Sequence, residues 1–308
     1  MLHLTSSTVL LFILCSICFH RGESFRREFS RLGEVRSVIP EHVNVMALTA
    51  TATTSSRAEI IQSLDMQNPV IVSVPPIKDN IYYCVSEKSS ISASLGPLCD
   101  RLASRRTSMG RTIIFCRKYD EVTAIYYFFK RRLGLAFTEP PGAPDFIPKF
   151  RLVDMYTHCT HQTVKDKVLE LFTSPSPLRI VVATIVFGMG VDCPDVRQIV
   201  HWGVPEDIET YVQETGRAGR DGLISCAVLF HGQGDLGKKT SKQMKTYCTN
   251  TDKMCRKVLL FSDFDDCKSI ATNLKFKGCQ CCDVCRNTCT CARCESNLDL
   301  FYFGSVFT

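Results

Sequence analysis

Between residues 43 and 230, short apolar runs alternate with longer stretches in which apolar residues recur every third or fourth position. The runs Val43–Thr49, Val70–Val74, Ile81–Val85, Thr112–Cys116, Leu152–Tyr156, Ile180–Thr184, Gln198–Trp202 and Ser225–Phe230 read as strands. Ser55–Leu64, Ser92–Ala103, Asp120–Arg132, Gln162–Phe172 and Pro205–Thr215 read as helices. Apolar strands alternating with helices predict an α/β fold whose parallel sheet carries helices on both faces. The Pro-rich piece 137–148 reads as a long surface loop. Breaks at Pro75-Pro76 and at the glycines of 232–237 divide the chain into segments 22–75, 76–232 and 233–294, with a tail at 295–308.

The segment before residue 22 stands apart. Ser7–Phe19 is apolar and uncharged, but its 13 residues fall short of the ~20 that span a bilayer. It has the length of a signal-peptide core, yet no basic residue precedes it and no A-x-A-like exit follows. It is therefore expected to be a buried core segment, or sequence foreign to the rest of the fold. Nothing else reaches spanning length, so no membrane partner is expected.

At about 150 residues per domain, 308 residues allow roughly two domains. With 45% hydrophobic and 22% charged residues the chain can bury a core, which excludes disorder and collagen-like repetition. The net charge of +6 permits a phosphate-rich partner without demanding one. Of 18 cysteines, seven crowd between Cys279 and Cys294. A disulfide framework would be dense throughout, so a cluster at one end points to metal.

Residues 179–222 carry the chemistry. In QETGRAGR, Gln213 lies at a helix end, and Arg217 and Arg220 lie in a turn with Gly216 and Gly219. Guanidiniums stay charged and offer a rigid fork of donors that suits a polyphosphate. The glycines allow the backbone to approach a ligand closely.

This segment resembles motifs V (Ala183–Val196) and VI (Gln213–Gly222) of superfamily 2 helicases, specifically the RecQ-family DNA helicases. Leu48–Thr53 (LTATAT) resembles motif III and Thr112–Lys118 (TIIFCRK) motif IV, and 22–40 is similar to the stretch after the family's DExH box. The resemblance implies the second RecA-like domain of a helicase, preceded by the end of the first. It implies that Arg220 is the arginine finger, a group worth about 10³–10⁵ in rate in comparable NTPases. It places Arg217 and Gln213 in the same cleft, and Asp192 and Gly190 at the nucleotide. Thr184, Arg117, Lys118, Thr49 and Thr51 are implied to face nucleic acid or to link it to nucleotide state. ATP with Mg²⁺ is the implied substrate, single-stranded or partly duplex DNA the partner, and the nucleus the location.

The C-terminal cysteines resemble the RecQ zinc subdomain, which implies Zn²⁺ on Cys255, Cys279, Cys282 and Cys285. Four thiolates suit a closed tetrahedral site. Cys267 is an alternative to Cys255, and Cys281 reads as a bystander. Cys289, Cys291 and Cys294 are surplus: free thiols, half of a second site, or tail.

Two look-alikes fail. Gly232–Lys238 has Walker A spacing, but Lys239 stands where the Mg²⁺-holding hydroxyl belongs. Asp120-Glu121-Val122 is followed by Thr123 and opens a helix, unlike a DExH box. With no Walker A or DExH within these residues, the expectation is a portion of a 3′–5′ DNA helicase that does not hydrolyse ATP alone. The alternatives are a non-catalytic, zinc-stabilised nucleic-acid-binding remnant and a secreted cysteine-rich protein.

Overall fold

The computed structural model describes residues 9–13, 34, 37–38, 40, 43–49, 51–74, 76–184, 187, 192–264 and 280–290. The chain folds into two compact units. One comprises described parts of 1–77, 209–213 and 260–274, and the other described parts of 78–208, 214–259 and 275–308.

In the first unit, β1 (Val9–Ile13) pairs in parallel with β2 (Asn44–Leu48), in register from Val9↔Asn44 to Ile13↔Leu48. Five residues of the apolar N-terminal run therefore form a sheet strand. The rest of that run lies outside the described residues, as does most of 22–40. Helix α1 (Thr54–Ser63) is N-capped by Thr53, whose hydroxyl accepts the Ser56 N–H, and Ile60 is buried. Val70–Val74 is not a strand. It has no regular secondary structure, and Val70, Val72 and Val74 are more than four-fifths exposed. Its β-branched side chains favour a pleated surface, but that preference is realised only against a neighbouring strand.

The second unit is built on a six-stranded parallel sheet. Its elements in chain order are β3 (Ile81–Glu87), α2 (Ile91–Arg105), β4 (Arg111–Cys116), α3 (Tyr119–Leu133), β5 (Val153–Tyr156), α4 (Gln162–Thr173), β6 (Ile180–Ala183) and β7 (Val196–Trp202). There follow α5 (Ile208–Thr215), whose residues 209–213 belong to the first unit, β8 (Ser225–His231), α6 (Lys242–Thr249), α7 (Arg256–Phe261), whose last two residues belong to the first unit, and α8 (Asp283–Asn287). The strand order is β3-β8-β7-β4-β6-β5. Both the odd and even positions of β4, β6 and β8 are buried, so the sheet is covered on both faces. On one face, Ile114, Val182, Val200 and Val228 pack with Leu95, Leu98 and Leu102 of α2 and Val122, Ile125 and Phe129 of α3. The helix expected from Pro205 begins only at Ile208.

The Pro-rich loop after α3 is an ordered structure. Arg106 donates to Glu139, to the Ala136 carbonyl and to the Thr138 carbonyl, and Lys130 pairs with Asp145 at 2.9 Å.

Candidate functional site

The arginine-bearing turn forms because α5 stops at Thr215 and the chain folds back into β8. The Gly219 N–H donates to the Val196 carbonyl at 3.0 Å, tying the turn to the start of β7. Gly219 has φ +59°, and a Cβ there would lie 2.3 Å from Asn80 Nδ2. Glycine is required at this position by both conformation and space.

Two residues absent from the sequence expectations hold the turn from behind. Lys78 Nζ donates to the Gly216 and Ala218 carbonyls at 2.6 and 3.1 Å. Asn80 Nδ2 donates to the Gly219 and Leu223 carbonyls at 2.8 and 2.9 Å. No local signal could have exposed them, since they precede the turn by about 140 residues.

Arg220 pairs with Asp192, whose side chain is 84% exposed. Of the two arginines expected at this turn, Arg217 is buried at 9% exposure and the Arg220 side chain is 35% exposed. Gln213 sits in the last turn of α5. Gly190 lies outside the described residues. A second unexpected pair is His201 Nε2 with Glu214 at 2.8 Å, both buried and with Phe115 stacked on the imidazole.

The expected nucleic-acid residues of this unit lie at the other end of the sheet. Thr184 follows β6, its N–H bonded to the Tyr156 carbonyl at 3.2 Å. Its Oγ1 is buried and has no hydrogen-bond partner among the described residues. Arg117 and Lys118 follow β4; Arg117 faces Glu206 at 3.8 Å, and Lys118 caps α3. The C-terminal edge of a parallel sheet is the usual place for ligands in such folds. In the first unit Thr49 Oγ1 donates to the Thr51 carbonyl at 3.0 Å, and Thr51 is buried. The stronger contact there belongs to Thr53, whose N–H and hydroxyl both reach Glu209 Oε1 at 2.7 Å.

A cysteine cluster forms a third centre. The sulfurs of Cys255, Cys281, Cys282 and Cys285 all lie within 4.8 Å of one another, with Cys255 and Cys281 at 3.4 Å. Zn–S bonds of ~2.3 Å place the sulfurs of a tetrahedron ~3.8 Å apart, so the group fits such an ion. Hydrogen bonds from Cys281 and Cys282 hold the Cys255 thiol far below its ordinary range, and the hydrogen bond with Cys255 pushes the Cys281 thiol well above it. Cys281, expected to stand aside, lies within this group, and the turn before α8 brings it to Cys255. Cys279, Cys267, Cys291 and Cys294 lie outside the described residues.

The cluster is tied to the sheet edge. Cys282 bridges to Tyr83 of β3, and the Tyr83 N–H donates to the Cys281 carbonyl at 3.4 Å. Arg256 and Asp283, each beside a cluster cysteine, form a buried ion pair at 3.0 Å. Asp283 also accepts the Val85 N–H at 3.1 Å.

Comparison with known proteins agrees with this architecture. Residues 94–222 match the helicase conserved C-terminal domain. The chain carries a RecA-like helicase C-terminal domain, and its relatives are RecQ-family helicases. It is 30% identical over 289 residues to the bifunctional 3'-5' exonuclease/ATP-dependent helicase WRN of Mus musculus, covering 86% of this chain and 19% of that protein. Against the ATP-dependent DNA helicase RecQ of Pasteurella multocida it is 30% identical over 280 residues, covering 86% and 39%. The chain thus spans well under half the length of these relatives. Among solved structures, S. cerevisiae Dbp5 bound to RNA and ADP BeF3 superposes with a TM-score of 0.57 at 16% identity, over 85% of this chain and 62% of that one. Mycobacterium smegmatis Lhr bound to ssDNA and AMP-PNP gives 0.52 at 18% identity, over 72% and 28%. At these identities the likeness is one of fold.

Proposed function

We propose that the chain forms the second-lobe portion of a RecQ-type, ATP-dependent 3′–5′ DNA helicase. The observation that carries the reading is the Arg220–Asp192 pair on a turn braced by Lys78 and Asn80. Charge develops on the γ-phosphate oxygens during phosphoryl transfer, and a fixed guanidinium stabilises it there. Arg220 is the group for that role, with buried Arg217 supporting the turn and Asp192 holding Arg220 until nucleotide arrives. For Gln213 and Gly190 the same nucleotide role rests on the family resemblance alone. Thr184, Arg117 and Lys118 would follow the phosphates of a single strand, Thr184 through its unpartnered hydroxyl. For Thr49 and Thr51 the role remains the one the family resemblance implies, linking nucleotide state to nucleic acid.

Phosphoryl transfer also needs a phosphate cradle and a Mg²⁺-holding acid. Within these 308 residues neither has a matching motif, so this chain by itself is expected to bind and not to hydrolyse. The cysteine cluster would hold one Zn²⁺ as a closed, all-thiolate structural site; Cys255, Cys281, Cys282 and Cys285 fit it geometrically, and Cys279 is implied by family resemblance. The nucleus is the matching location. Among the described residues no helix is long and apolar enough to cross a membrane.

Fluorescence anisotropy against single-stranded oligonucleotides tests the reading. Binding should be weak, indifferent to sequence, and fall with salt by about 0.7 log units per log unit for each phosphate contacted. Arg117→Ala should reduce that slope. Salt-independent binding would count against phosphate contacts, and sharp sequence preference would point to base readout. DNA-stimulated ATPase activity abolished by Arg220→Ala would show that this chain is catalytic as it stands.

A further inference from the structure

The segment 78–80 meets the arginine turn at four points. Its own backbone is fixed first. Lys257 Nζ donates to the Lys78 and Asp79 carbonyls at 3.2 Å each, and the Ser225 N–H donates to the Asn80 carbonyl at 2.8 Å. From this anchored strand entry, the Lys78 ammonium takes the carbonyls of Gly216 and Ala218, the residues flanking Arg217. The Asn80 amide takes those of Gly219, the residue before Arg220, and Leu223.

We infer that Lys78 and Asn80 are positioning residues for the Arg217–Arg220 turn, and that Lys78 adds a fixed positive charge behind Arg220 for a di- or triphosphate group. The inference rests on the reading of this turn as a polyphosphate site. Each carbonyl left without a donor would cost more than the bond contributes, so the turn keeps its shape only while both donors stay. A Gly-rich turn has more alternative backbone conformations than any other sequence, which makes this bracing decisive for where the guanidiniums point. Burial and the nearby Arg220 guanidinium both lower the Lys78 pKa. An anion at Arg220 relieves the repulsion between the two cations, so ligand and Lys78 charge favour one another.

The test uses the whole chain and two readouts. Inorganic tripolyphosphate is titrated by calorimetry at low salt, and hydrogen exchange is followed in peptides covering 214–223. Lys78→Met should weaken tripolyphosphate about tenfold, the equivalent of ~1.4 kcal/mol, and speed exchange in the turn but not in β4 or β7. Lys78→Arg keeps a cationic donor and should restore affinity to within about threefold, the equivalent of ~0.65 kcal/mol. Asn80→Ala removes no charge and should still speed exchange and weaken binding. Lys130→Met, an equal charge change on α3, should leave both readouts alone. Equal weakening by Lys78→Met and Lys130→Met would reduce Lys78 to net charge and overturn its positioning role. Unchanged exchange in both Lys78→Met and Asn80→Ala would overturn the bracing altogether. If the unaltered chain binds no tripolyphosphate, the phosphate reading of the turn falls, while the exchange data still decide whether Lys78 and Asn80 hold it.

Discussion

Removing one partner of the Arg256–Asp283 pair should unfold the region around the cysteine cluster more readily than any exposed substitution. Both side chains are about nine-tenths buried, and Asp283 receives Arg256 through Nε and Nη2 and the Val85 N–H besides. Asp283→Ala leaves a guanidinium without its counter-charge in a low-dielectric setting, which typically costs about 3–5 kcal/mol. For a unit of this size, each kcal/mol lowers Tm by roughly 2–4 °C, so the expected drop is roughly 6–20 °C. Asp283→Asn keeps an acceptor for Val85 and should fall between. The double change Arg256→Met with Asp283→Leu removes both charges and should recover much of the loss, since a buried pair is replaceable by apolar groups of similar volume. Thermal unfolding by circular dichroism, with metal content by mass spectrometry, reads the outcome. An Asp283→Ala chain melting within about 2 °C of the parent would refute the reasoning, as would a double variant no better than the worse single.

Three further outcomes follow from the same geometry. Cys281→Ser should lower bound zinc below one per chain as strongly as Cys282→Ser; full zinc in Cys281→Ser together with loss in Cys279→Ser would return the ligand set to the one implied by family resemblance. Gly219→Ala should cost ~1–3 kcal/mol in denaturant unfolding, whereas Gly222→Ala, which has nothing within 4 Å of its would-be Cβ, should cost only the left-handed strain of ~1 kcal/mol. Burial lowers the His231 pKa below its ordinary 6.5, so the unfolded chain binds the proton more readily; stability should decline as pH falls from 6.5 towards the native value, and His231→Gln should flatten that limb of a pH–Tm profile.

What could be read from the sequence was what lies close together along it. Strands β3 to β8 follow from apolar runs, and QETGRAGR announces its turn because glycine and arginine spacing reports local backbone. The partners of that turn are another matter. Lys78 and Asn80 stand 138 to 143 residues away, and Thr53 meets Glu209 across 156, distances at which pairing leaves no periodic trace. The His201–Glu214 pair escaped for a related reason: on one strand end and one helix end, each looks like an ordinary polar residue until the fold buries them together. Val70–Val74 shows the opposite failure, β-branched propensity without a strand beside it. Cys281 lies against Cys255, which its place next to Cys282 did not suggest, because the alternation of side chains along extended backbone lapses in the turn leading into α8.

Thr184 and Asp192 stand at opposite ends of the sheet, one after β6 and one before β7, with β4 lying between those strands. Phe187, between them in the chain, is wedged edge-on against Tyr156 of β5 at 4.8 Å and against Phe172 of α4 at 5.6 Å. The ring acts as a rivet, fastening the chain three residues past Thr184 to a strand and a helix at once.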